Sequence, residues 1–218
     1  MNRSGTAAAT IADAAVVVAI CFGWPIWGSV AAIASGYPPG SLDDSALIAL
    51  IALELVLAGA ALVYLRLRGH DLGTLVPRPT GVGCLVGAAL YAIASLAIWP
   101  LYWIVGKAEV TAEPIEQMIA GAAISMPWLL AVSVVNGLFE ESFLIGYLLR
   151  ELERFGMWLA IGITILIRAL CHLYQGPLGT VSAIAFGLVF AVYYRGKKLL
   201  WPVVFAHILA DVVGFVLR

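Results

Sequence analysis

Charge is scarce in this chain. Of its 218 residues only 11% are Asp, Glu, Lys or Arg, against 63% hydrophobic, and the mean hydropathy of +1.02 lies far outside the range of soluble domains. That excludes a chain solvated on all sides, and a formal net charge of −1 leaves no basic footprint for nucleic acid. Cysteine is scarce too: Cys21, Cys84 and Cys171 all sit in apolar runs without paired spacing. They read as reduced packing residues, and no disulfide framework follows. The sequence has no HExxH metal motif and none of the repeated halves of secondary transporters, and no serine or cysteine nucleophile paired with a base stands out in its apolar runs.

What the chain does have is a series of apolar runs of roughly 17 to 25 residues, each about enough to cross a ~30 Å hydrocarbon layer as a helix. The expected fold is an all-α polytopic transmembrane bundle, residues 1–218 forming one membrane domain of about seven spans (six to eight). Drawn around the charged punctuation, the spans run from about Ile11 to Ala34, Ala46 to Leu65, and Val82 to Val105. The fourth starts near Met118 or Ser125, with Pro127 as a kink, and ends near Leu149. The last three cover about Met157 to Leu173, Leu178 to Tyr194 and Leu199 to Leu217. Gly36, Pro38 and Pro39 stop the first helix, and the 22 glycines suit close helix packing. Although Arg3 precedes an apolar stretch, Asp13 interrupts it and the run continues to about Ser35, so an uncleaved first span is expected rather than a signal peptide.

Basic residues fix the expected orientation. Arg3, then Arg66, Arg68 and Arg78, then Arg150 and Arg154, then Arg195, Lys197 and Lys198 fall at alternate connections; the intervening loops carry Asp43 and Asp44, or Lys107 among Glu109, Glu113 and Glu116. The positive-inside rule then puts the N-terminus in the cytoplasm. A bacterial-type plasma (inner) membrane is the expected location. Trp24, Trp27, Trp99, Trp103, Trp158 and Trp201 read as interfacial anchors or packing groups.

Few polar groups remain inside the spans: Glu54, Asn136, Glu140, Glu141, Arg168, His172, His207 and Asp211. At ~1.5 Å per helical residue, those from Glu140 onward fall roughly 13 to 21 Å from the inner edge, in one layer. Asn136 and Glu140, Arg168 and His172, and His207 and Asp211 are each i and i+4, and so share a helix face. Glu141 points about 100° away from Glu140, so one carboxylate can face a cavity and the other a neighbouring helix. An intramembrane carboxylate is costly and needs a use. A carboxylate beside a neutral imidazole can activate water, and a second histidine with an Asp can polarise a carbonyl. Tyr174 and Gln175 read as external turn residues. Glu54 reads as a protonated core residue or a neutral carboxyl on the lipid side, with contact to the site as the lesser alternative.

At these residues the sequence resembles the CAAX protease and bacteriocin-processing family of intramembrane glutamate proteases. Its EExxxR motif is met by Glu140 and Glu141, with Ile145 where the arginine would stand. Its FxxxH motif is met at His172, with Arg168 in the aromatic place, and its HxxxN/D motif by His207 and Asp211. The likeness runs from about Asn136 to Leu217, within a motif-bearing core at 118–217. It implies that Glu140 and His172 activate a water, that His207 and Asp211 form the polarising side, and that Glu141 is structural. From its similar depth on the next helix, Arg168 is expected to supply Glu141 with the charge that Ile145 removes. Asn136 is expected to line the site. The implied activity is that of an endopeptidase, without cofactor, acting on a membrane-associated hydrophobic or lipid-modified peptide in contact with membrane lipids. Two other readings stay open: a proteolytically silent scaffold or immunity protein, and a zinc hydrolase or ion transporter with His172, His207 and Glu140 as ligands.

Overall fold

The computed structural model describes residues 7–37, 42–106 and 113–216. Arg3, Pro38, Pro39, Lys107, Glu109 and Leu217 lie outside them. Among the described residues there is no strand, and the chain is an all-α polytopic bundle. Six helices are long and apolar enough to cross a membrane, and a seventh apolar helix is shorter. They are α1 (Ala7–Ala34), α2 (Asp44–Leu67), α3 (Gly81–Gly106), α5 (Met126–Phe155), α6 (Met157–His172), α7 (Pro177–Lys197) and α8 (Trp201–Val216). A short helix α4 (Pro114–Ala120) lies between α3 and α5.

The fourth span differs from its expected form. Met118 belongs to the separate α4, which ends at Gly121. Pro127 makes no kink: it sits in the first turn of α5, where its missing N–H costs nothing. Nor does α5 stop near Leu149. It continues to Phe155 and winds as a π-helix over Ser142–Leu149. Such widened turns occur most often at functional sites.

Helix contacts form a closed ring in the order α1, α2, α5, α8, α3, α7, α6 and back to α1. The π-helical half of α5 leaves the ring wall and runs among α1, α6 and α7, where every residue from Phe143 to Leu149 is buried. Ile145 is fully buried in this core. Outward faces carry apolar side chains such as Trp24, Trp27, Trp99 and Trp158, each more than 60% exposed, as lipid contact requires.

Ionic contacts tie the basic connections together at one end of the bundle. Asp13 of α1 accepts from Tyr64 Oη and Arg68 Nε, both at 2.7 Å, and lies 3.3 Å from His70 Nε2. Arg154 donates to Thr10 at 2.9 Å, and Lys198 pairs with Glu153. At the opposite end Asp43 caps α2, accepting from Ser45 Oγ and Ala46 N–H. Those donors hold its carboxyl below the ordinary value, so the cap loosens only as pH falls through that lowered value. Ala123 N–H meets the Leu42 carbonyl at 2.8 Å and Ser125 N–H meets Asp44 at 2.7 Å, joining the loops before α2 and α5.

The tightest crossing is between α3 and α8, and Gly83 and Gly87 create it. A Cβ at Gly87 would come within 2.6 Å of the Pro202 carbonyl oxygen, and one at Gly83 within 2.6 Å of Trp201 Cδ1. Spaced four apart, they form a small-xxx-small face that lets the two backbones touch. Gly87→Val is therefore expected to cost about 1–3 kcal/mol by overpacking. Gly59→Ala, where nothing lies within 4 Å of the new methyl, should stay within about 0.5 kcal/mol of wild type. Denaturant unfolding in detergent micelles checks both.

Candidate active site

Seven polar side chains from α5, α6 and α8 meet inside the bundle, and the pairings follow from helical spacing. On α5, Glu141 is fully buried and turned toward α6, while Glu140 is 12% exposed and faces a cavity. Arg168 of α6 donates through Nη2 to both Glu141 oxygens, at 2.7 and 2.8 Å, and through Nη1 to Glu140 Oε2 at 3.2 Å. One guanidinium thus bridges the two adjacent carboxylates from the next helix, and Ile145 packs in the core.

Room for Arg168 comes from α7. A Cβ at Gly187 would stand 2.9 Å from Arg168 Cδ, and the Phe190 ring lies under the guanidinium at 5.8 Å. Its Nε has no hydrogen-bond partner among the described residues, so the bonds from Nη2 to Glu141 and from Nη1 to Glu140 carry the solvation of this buried charge.

One turn after Arg168, His172 ends α6. Its Nδ1 lies 2.8 Å from the Arg168 carbonyl oxygen. A carbonyl only accepts, so Nδ1 carries the proton and the neutral ring keeps its lone pair on Nε2. That Nε2 stands 3.8 Å from Glu140 Oε1, too far for a direct hydrogen bond.

His207 of α8 is held on the other side. Its Nδ1 lies 2.6 Å from Glu141 Oε1, a contact the sequence reading did not foresee, and its Nε2 lies 3.7 Å from Asp211 Oδ1. Asn136 joins them, with Nδ2 3.2 Å from both His207 Nε2 and Asp211 Oδ2. In that arrangement the amide donates to both.

Two cavities open on this cluster, of about 420 and about 550 Å³, and His172, Gln175 and Asp211 line both. Arg168 and His207 line the smaller; Asn136, Glu140 and Glu54 line the larger. Tyr174 and Gln175, read from sequence as turn residues only, face the larger cavity as well. Their turn is fixed by Tyr174 N–H donating to the buried Ser29 of α1 at 2.8 Å. Leu178 N–H donates to Glu113 at 3.2 Å, and Gly176 at φ +91° lies where a side chain would strike Glu113 and Pro114. The signal for this roof was the shortness of the α6–α7 connection directly after His172.

A divalent cation fits this donor set poorly. Glu140, Glu141 and His207 each offer a ligand atom within 4.8 Å of the others, with His172 outside the group. Yet both Glu141 oxygens and one Glu140 oxygen already accept from Arg168, whose fixed positive charge sits where it would repel the ion.

The pair geometry makes a stability prediction. Glu141→Gln leaves Arg168 buried with half its compensation, for an expected loss of about 3–5 kcal/mol. Glu140→Gln gives up only the longer, partly exposed contact and should cost less than half as much. Unfolding midpoints of the two variants in one detergent check the order.

No curated protein and no solved structure matches the chain. A family model does: residues 122–213 match that of the type II CAAX prenyl endopeptidase, Rce1-like. The match takes in all seven side chains of the cluster, from Asn136 to Asp211, and agrees with the motif resemblance. Over this segment the chain is similar to the Rce1-like family of type II CAAX prenyl endopeptidases, a protease family, and the likeness supports a membrane-protease kind of function.

Proposed function

We propose that the protein is an intramembrane endopeptidase in which Glu140 and His172 activate water against a peptide bond of a hydrophobic or lipid-modified, membrane-associated substrate. The observation that carries this reading is the 3.8 Å gap between Glu140 Oε1 and His172 Nε2 at a shared cavity wall. Two proton acceptors at that separation can hold one water between them, and the Arg168 carbonyl keeps the His172 lone pair aimed at it.

In the proposed cycle the water oxygen attacks the carbonyl carbon while its proton passes to Glu140 or His172. The carbonyl oxygen takes up negative charge beside Asn136 and His207, and the Asn136 amide turns one N–H from His207 to it while the other stays on Asp211, a carboxylate that accepts and does not donate. Collapse breaks the C–N bond; the water's first proton passes from the base to the leaving nitrogen and its second leaves the new carboxyl group for the same amine, giving one carboxylate and one protonated amine. No metal or cofactor takes part.

A silent scaffold is the weaker reading, because it draws on the missing motif arginine and Arg168 stands in hydrogen-bond contact with both glutamates. We place the protein in a bacterial-type plasma membrane, the end that carries Arg68, Arg154 and Lys198 toward the cytoplasm.

New protein termini in membranes expressing wild type, Glu140→Gln or His172→Ala, at matched levels of folded protein, test the proposal. Wild type should generate termini that fall about 10²–10⁴-fold in either variant, the usual contribution of a general acid–base group. Identical profiles in all three membranes would overturn it.

A further inference from the structure

Glu54 belongs to none of the three motifs, yet it is buried to 5% exposure in the middle of α2 and its Oε2 has no hydrogen-bond partner. It lines the larger cavity together with Glu140 and Asp211. An intramembrane carboxyl without a partner costs several kcal/mol by desolvation and is a functional candidate by default.

The cavity around it is lopsided in charge. Glu54, Glu140 and Asp211 are among its lining residues, which among the described residues include no lysine or arginine. Arg168 lines the smaller cavity, and its strongest bonds go to Glu141, leaving Glu140 the longer contact. Apolar side chains of α1 and α2, among them Phe22, Leu47 and Leu50, complete the wall. At about 550 Å³ the space is of the size that takes a ligand.

We propose that this cavity receives a substrate segment carrying a protonated amine or guanidinium, with Glu54 as its counter-charge. The inference rests on the proteolytic reading and narrows its substrate class to hydrophobic peptides with a basic group near the scissile bond. Because His172 and Asp211 line both cavities, the bond to be cut lies where the cavities join. The basic group then sits on the α1–α2 side, and the other side of the substrate meets the Tyr91 and Phe186 wall of the smaller space. Glu54 acts as a specificity determinant: a basic residue brings the cation against which this buried carboxyl ionises and the donors that Oε2 lacks, whereas an uncharged residue leaves Oε2 unpaired.

The test compares new termini in membranes expressing wild type, Glu140→Gln and the near-isosteric Glu54→Gln, each checked for folding by gel filtration of the detergent extract. The expected result is that sites cut by wild type but not by Glu140→Gln carry Lys or Arg at one fixed offset. The ratio of such sites to others should fall at least about tenfold in Glu54→Gln, as loss of one partner of a desolvated charge pair implies. Synthetic peptides spanning the first mapped site, with its basic residue or with norleucine there, give a second readout. Wild type should favour the basic peptide through KM, and Glu54→Gln should lose that preference. If Glu54→Gln cuts the wild-type set at wild-type ratios, or the sites show no fixed basic position, the inference is wrong while proteolysis stands. If wild type and Glu140→Gln give the same termini, the proteolytic reading fails and the inference falls with it.

Discussion

The interior of this protein depends on one buried ion pair. Two adjacent carboxylates inside a lipid-facing bundle require a cation, and the helix that bears them places Ile145 one turn on, where an arginine could have stood. Arg168 therefore reaches across from α6 to hold both Glu140 and Glu141. The consequences are geometric. With Arg168 fixed, His172 one turn later can only lie beside Glu140, and its Nδ1 finds the Arg168 carbonyl. With Glu141 fixed, its Oε1 accepts from His207 Nδ1 of α8 as well as from Arg168 Nη2. One guanidinium thus sets the register of three helices, and Gly187 of α7 gives it space.

The bundle divides along α5. Its π-helical half is buried on all sides among α1, α6 and α7 and anchors the end where Asp13, Arg68, Glu153 and Lys198 are paired. Its first half faces two cavities, and those are closed above by the Tyr174–Gly176 turn, Glu113 and α4. A rigid floor under an accessible chamber is what positioned side chains need, since a loosely held site loses rate steeply with small displacements.

Much of this was legible in the sequence. Hydropathy alone locates the helices to within a few residues, because a membrane span must be long, apolar and internally hydrogen-bonded. The i, i+4 spacings and the shared depth explain why residues from three helices meet. Other features could not be read in one dimension. Met118 looked like the start of a span because α4 is apolar, and only Gly121 and the strand-like contact at Asp43 and Ala123 show the chain turning there. The π-helical winding leaves no composition signal. The His207 contact to Glu141, the amide bridge from Asn136 and the place of Glu54 beside the cluster all depend on helix crossings that sequence spacing does not specify.

The central claim, that a cation supplied across a helix interface replaces the one missing from α5, is tested most directly by moving the charge back. Arg168→Leu and the double variant Arg168→Leu with Ile145→Arg would be compared for unfolding midpoint in detergent and for retention of native helix content. The account predicts that Arg168→Leu loses several kcal/mol and that the added arginine, four residues after Glu141 on the same helix face, recovers a measurable part of it. It would be contradicted if Arg168→Leu unfolded at the wild-type midpoint, or if the double variant were less stable than the single one.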